Sequence, residues 1–148
     1  MTTIWVSLNE RLAAEWDVLA AATPASVVQR WGREYPALAG VSRLSDMPGL
    51  VGPEADFQTR DAILLALVSL TQDGSELAGR TVLHLLGPGL SALVGDVARV
   101  MTRVRSRHTP VEVGETLLGV FWEVLATYPV RARPSRVAAD LIRDTRMV

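Results

Sequence analysis

Three groups of residues in this 148-residue chain have the chemistry for a functional site: two histidines (His84, His108), three glutamates along one segment (Glu112, Glu115, Glu123) and five arginines near the C-terminus (Arg131, Arg133, Arg136, Arg143, Arg146). Histidines serve as general bases or metal ligands when they share a face or a ligand spacing. These two lie on different elements: His84, between Leu83 and Leu85, reads as a helix residue flanking a buried face, and His108 as a solvated loop residue. Paired carboxylates can divide acid and base roles, yet Glu112 and Glu115 stand near a helix start, where they favour the macrodipole. Gly87-Pro88-Gly89-Leu90-Ser91-Ala92 satisfies the dinucleotide pattern G-x-G-x-x-A. A helical stripe runs through it in phase, however, and the place for a ribose-binding acid is occupied by Arg105-Ser106-Arg107-His108. Gly89 to Leu93 misses the G-x-S-x-G elbow at its last position. Without cysteine there is no thiol nucleophile, disulfide or thiolate metal site, and without lysine no Schiff base or P-loop lysine. The chain reads as a non-enzyme that needs no cofactor and no metal.

The arginines point to binding instead. All fifteen basic side chains are arginine, and they are unevenly placed. Residues 1–98 hold six arginines against eleven acids, net −5, and residues 99–148 hold nine against five, net +4. Clustered guanidinium suits phosphate or carboxylate, while the acidic head of the preceding segment suits a basic protein surface. Arg136, Asp140, Arg143 and Asp144 can pair along one helix, each exposed pair contributing about 0.3 to 0.5 kcal/mol. Arg131 and Arg133, beside Pro129 and Pro134 with fewer acids nearby, are the leading candidates for phosphate contacts.

These side chains are carried by helices. At 49% apolar the chain can build one domain's core, and no apolar run reaches the ~18 residues of a membrane span. No basic segment followed by an apolar stretch opens the sequence, so a cytoplasmic protein with no membrane contact is expected. Ser7 to Glu10 has capping-box spacing ahead of Leu8, Leu12, Trp16 and Leu19, and Pro24 restarts a helix whose face is Val27, Val28, Trp31 and Tyr35. Residues 39–58 show no period and read as a loop. Thr59 to Thr71 is apolar nearly all round, which marks a central helix. Ser75 opens a stripe running to Val104 through two nearly collinear pieces joined at Pro88. Val113, Leu117, Val120, Phe121, Val124, Leu125 and Tyr128 form the next stripe, with Phe121 and Leu125 expected to be buried against both the Ser75 helix and the helix after Pro134. The fold class is all-α with about six helices, arranged as a hairpin at 1–38, a loop or linker at 39–58 and a helical core at 59–148.

From Glu76 to Val148 the pattern resembles the helical region-two domain of bacterial RNA polymerase sigma factors. Glu112 falls where that family places an acid at the head of its polymerase-binding helix, and Leu117, Leu118, Phe121 and Trp122 fall on its apolar and aromatic positions. Ala139-Asp140-Leu141-Ile142-Arg143-Asp144 is similar to the family's A-R-N-L-x-L-D run, with Asp140 in place of the asparagine. Arg133 and Thr145 stand where the family often has rings, and no helix-turn-helix domain follows. The resemblance therefore implies docking or duplex contact rather than promoter melting. It implies a transcription-associated protein in which Glu112, Glu115 and Trp122 meet a partner protein, RNA polymerase first among them, and Arg131, Arg133, Arg136, Arg143 and Arg146 meet a DNA backbone. The alternative is a helical protein-interaction or homo-oligomerisation module whose apolar docking face comes from Trp5, Trp16 and Trp31.

Overall fold

In the computed structural model of the chain, residues 2–103 and 110–146 are described, with side chains described for 10–101, 103 and 112–146. Among them there is no strand, and eight α-helices are present: α1 (Thr2–Ala22), α2 (Ala25–Glu34), α3 (Met47–Leu50), α4 (Phe57–Gln72), α5 (Glu76–Leu85), α6 (Gly87–Arg103), α7 (Pro110–Thr127) and α8 (Val137–Arg146). The all-α expectation holds and the count of six does not. One added helix is α3 in the expected loop, where 3-10 turns also form at Pro36–Leu38 and Leu44–Asp46. Leu38, Val41, Leu44 and Met47 are buried in the same core as α4, α5 and α7, and their three-residue spacing is the signal that the absence of a longer period hides. The other addition is the division of the long Ser75 stripe into α5 and α6.

That division is a bend of 68°, not a near-collinear junction. Pro88 cannot donate to the carbonyl one turn back, so the ladder stops at Leu86, which still donates to Val82 at 2.9 Å, and resumes when Leu90 donates to Leu86. The flanking glycines each lie under a neighbouring helix. A Cβ at Gly87 would stand 3.5 Å from Leu12 of α1, and one at Gly89 would stand 3.4 Å from Ile142 of α8. With Thr81–Leu85 helical and Leu86 in the turn that follows, no strand precedes the G-x-G-x-x-A residues, and the dinucleotide turn is excluded. No single described helix is long and apolar enough to cross a membrane; α5 and α6 pass that test only as a bent pair, and much of their apolar surface is buried in the fold.

α4 is the hub. Its N-terminus is capped by Asp56, which accepts the Thr59 N–H at 2.7 Å, and its C-terminus turns at Gly74, whose φ of 107° only glycine adopts readily. Ser75 then caps α5 by accepting the Ala78 N–H. Ile63, Leu64, Ala66, Leu67, Val68 and Leu70 of α4 are all buried, and α4 packs against α5, α7 and α8. On α7 the expected stripe is buried at Val113, Leu117, Phe121, Leu125 and Tyr128. Its principal neighbours are α8, α6 and α4 rather than α5, and α5 reaches it closely at one place, where a Cβ on Gly79 would come within 2.8 Å of the Trp122 ring.

The N-terminal expectations are partly revised. α1 begins at Thr2, so Ser7 lies inside the helix rather than at its cap. Trp16 and Trp31 are buried in the core, not assembled into an exposed docking face, because the apolar stripe of α1 turns inward onto α5 and α6 and that of α2 onto the Pro36–Leu38 turn and the core beneath it. The Trp5 side chain, His108 and the 104–109 connection lie outside the described residues.

Candidate functional site

The turn between α7 and α8 is shaped by polar groups from α4. Gln72, at the last turn of α4, donates to the carbonyls of Leu125 (3.0 Å) and Tyr128 (2.8 Å), which are left without helical partners at the end of α7. Asp61, about three turns earlier on the same side of α4, accepts the N–H groups of Arg136 (3.1 Å) and Val137 (3.0 Å) and so caps α8 across 76 positions of sequence. Arg136 itself sits at φ 57°, a left-handed conformation that turns its N–H toward Asp61. Inside the turn, the Tyr128 hydroxyl donates to the Arg133 carbonyl at 3.1 Å and lies 3.5 Å from Asp140. Burial, with Asp140 adding to it, pushes the Tyr128 hydroxyl up to about 12. None of these long-range caps has a local sequence signature; Asp61 and Gln72 look like ordinary polar positions on a buried helix.

This frame sorts the five arginines into two groups. Arg133 is not the free turn residue its sequence surroundings suggest, because α8 folds back and brings Asp144 to within 2.7 Å of its guanidinium. Arg143 is shared between Asp140 (3.2 Å) and Asp144 (3.4 Å). Arg131, Arg136 and Arg146 are exposed, and their side chains form no ion pair among the described residues. Of the five C-terminal arginines, those three are the ones whose guanidinium groups are not engaged by a carboxylate among the described residues.

The acidic side of the site is a strip on α7. Glu112, Glu115, Gly119, Trp122 and Glu123 are all exposed, and at 100° per residue they fall within about a quarter of the helix circumference. A Cβ on Gly119 would meet nothing within 4 Å, so the strip is open. Trp122 is 37% exposed, whereas Phe121 beside it is fully buried. The two rings meet edge to face at 6.3 Å, which holds the outer ring against the core ring. Of the two aromatic neighbours, Trp122 is thus the surface residue and Phe121 the core residue.

Beside Trp122 lies a cleft of about 420 Å³ between α1, α5 and α7, walled by Trp16, His84, Leu118 and Trp122 and rimmed by Arg11, Glu15, Glu76 and Arg80. Glu76 and Arg80 neutralise each other at 3.0 Å. His84 stacks flat on Trp16, with ring centres 4.3 Å apart and planes within 3°, and burial holds its imidazole below the ordinary 6.5. The sequence places His84 correctly as a partly buried helix residue; its ring partner, 68 positions earlier, has no sequence signal. A second groove of about 570 Å³ runs between α6 and α8 over Gly89, Ala92, Ala138 and Ile142. Among the described residues no group of three or more His, Asp or Glu side chains is placed to hold a metal ion.

Comparison with known protein families, curated proteins and solved structures found no match to this chain.

Proposed function

We propose that the protein is a non-catalytic docking protein that presents the α7 strip, Glu112, Glu115 and Trp122, to a basic surface on a partner protein. The observation that supports this reading is the exposure of Trp122 among exposed glutamates on an otherwise apolar helix. A partly open tryptophan is the side chain most often found to dominate a binding interface, and surrounding carboxylates steer and orient a basic partner. RNA polymerase is the partner that the sigma-factor resemblance implies, and a transcription role follows from that resemblance. Binding of purified core polymerase by the intact protein, by Trp122→Ala and by Glu115→Arg is the direct test. Each variant is expected to weaken binding, Trp122→Ala by 2 kcal/mol or more, about 30-fold, with unchanged melting for Glu115→Arg. Absence of binding by the unaltered protein at micromolar concentration removes polymerase as the partner, and equal binding by all three proteins removes the strip.

A second reading rests on the exposed, unpaired state of Arg131, Arg136 and Arg146 among the described residues. It assigns them to a nucleic-acid backbone. Replacing Arg131 and Arg146 by alanine should then lower the slope of log affinity against log salt by about 2, since each phosphate contact releases roughly 0.9 counterion. Arg133→Ala should change it little, because that guanidinium is already engaged by Asp144.

A further inference from the structure

α1 packs against α6 and α5. Of its described side chains only Leu12 and Trp16 are buried, with Leu19 and Ala20 packed beside them. Leu12 rests over Gly87 at the α5–α6 bend, and Trp16 lies flat on His84. His84 is the one polar ring in this contact, and its Nδ1 is buried and makes no hydrogen bond among the described residues.

A stacked imidazole in this position tolerates the neutral state. Adding a proton places a charge on a half-buried ring whose Nδ1 has neither solvent nor acceptor among the described residues, which disfavours the charged form. The charged groups around it come from two helices. Asp17 and Glu15 of α1 attract an imidazolium, Arg11 of α1 and Arg80 of α5 repel it, and Glu76 is engaged with Arg80. α7 brings only Leu118 and Trp122 to the cleft, and α6 brings nothing to it. Asp17 and the Leu12 backbone favour the proton, and burial outweighs them.

We propose that α1 is a proton-released latch, closed on α5 and α6 while His84 is neutral and loosened when His84 is protonated. Lifting Trp16 off the imidazole returns Nδ1 to water and also removes the α1 wall of the cleft beside Trp122. The direction of the effect follows from linkage. The open form takes up a proton near the ordinary 6.5, the closed form at a lower pH, so opening is favoured progressively as pH falls below 6.5. With one proton involved, the opening constant rises by no more than tenfold per pH unit.

Amide hydrogen exchange of the full chain, corrected for intrinsic exchange and followed from pH 7.5 to 5, tests the latch. Protection of the Leu12–Ala22 amides is expected to fall below about pH 6.5 while α4 keeps its protection. His84→Phe, which keeps a ring on Trp16 without a titrating group, should abolish the pH dependence. His84→Gln serves the same purpose should the phenylalanine variant not fold. The chain has two histidines, so His108→Gln leaves a single imidazole whose titration can be followed directly by NMR. Protection of α1 that is flat with pH, pH dependence that survives replacement of His84, loss of α4 protection in step with α1, or a His84 midpoint at or above 6.5 would each overturn the proposal.

Discussion

The C-terminal pair α7–α8 is joined to α4 by directional polar bonds, whereas the described side chains that α1 buries against α5 and α6 are Leu12 and Trp16, the latter stacked on His84. Asp61 and Gln72 each satisfy two backbone groups at a helix end, and a buried tyrosine bridges the turn between those ends. Such bonds specify one angle between two helices, because a small rotation breaks them. Apolar contact is less selective: Leu12 and Trp16 lose free energy gradually as the helix slides or lifts. The angle of the α7–α8 turn on α4 is therefore specified by polar bonds, and the latch proposed above places the moving element on α1.

The largest expected effect tests the rigid side. Phe121 is fully buried between the α4 and α8 layers, and Phe121→Ala is expected to cost about 3 to 5 kcal/mol in urea denaturation; a loss below about 1 would mean that the α7 stripe does not carry the core. Trp16→Ala removes a larger ring and is nevertheless expected to cost less than Phe121→Ala. On the latch proposal α1 opens locally, and the cost then cannot exceed the free energy of closing it. Equal costs, with exchange protection lost across α4 as well as α1, would erase the distinction between the two ends.

A smaller effect is expected at the polar staple. Asp61→Ala leaves the first N–H groups of α8 without their acceptor and should cost about 1 to 2 kcal/mol, with only part of it recovered by Asp61→Asn, whose single side-chain oxygen replaces one of the two carboxylate acceptors. An alanine effect near zero would show that the caps do not hold α8. The smallest effect is the alkaline limb of the stability curve. The Tyr128 hydroxyl is raised to about 12 from its ordinary 10.0, so the folded state keeps the proton that the unfolded state gives up. Its contribution is complete below pH 10 and is lost as pH rises from 10 toward 12; Tyr128→Phe should flatten that limb, and an unchanged limb would place the cause elsewhere.

Much of the local architecture was legible from residue order. The all-round apolar run of α4, the Ser75 cap, the Gly74 stop and the α7 stripe all depend on neighbours within four positions, and all appear where spacing puts them. The exposure of Glu112 and Glu115 follows from the same period. Short elements with no room for a period, such as α3 and the two 3-10 turns, were not legible.

What the sequence by itself determined, then, is which segments are helical and which face of each is apolar, because backbone hydrogen bonds and side-chain spacing repeat within a single turn. Only the tertiary structure decided the 68° bend at Pro88, the pairing of Arg133 with Asp144, the capping of α8 by Asp61 and the stacking of Trp16 on His84. Each of these depends on the relative direction of two helices, and that direction is set where side chains far apart in the chain fill one another's space and satisfy one another's unpaired groups.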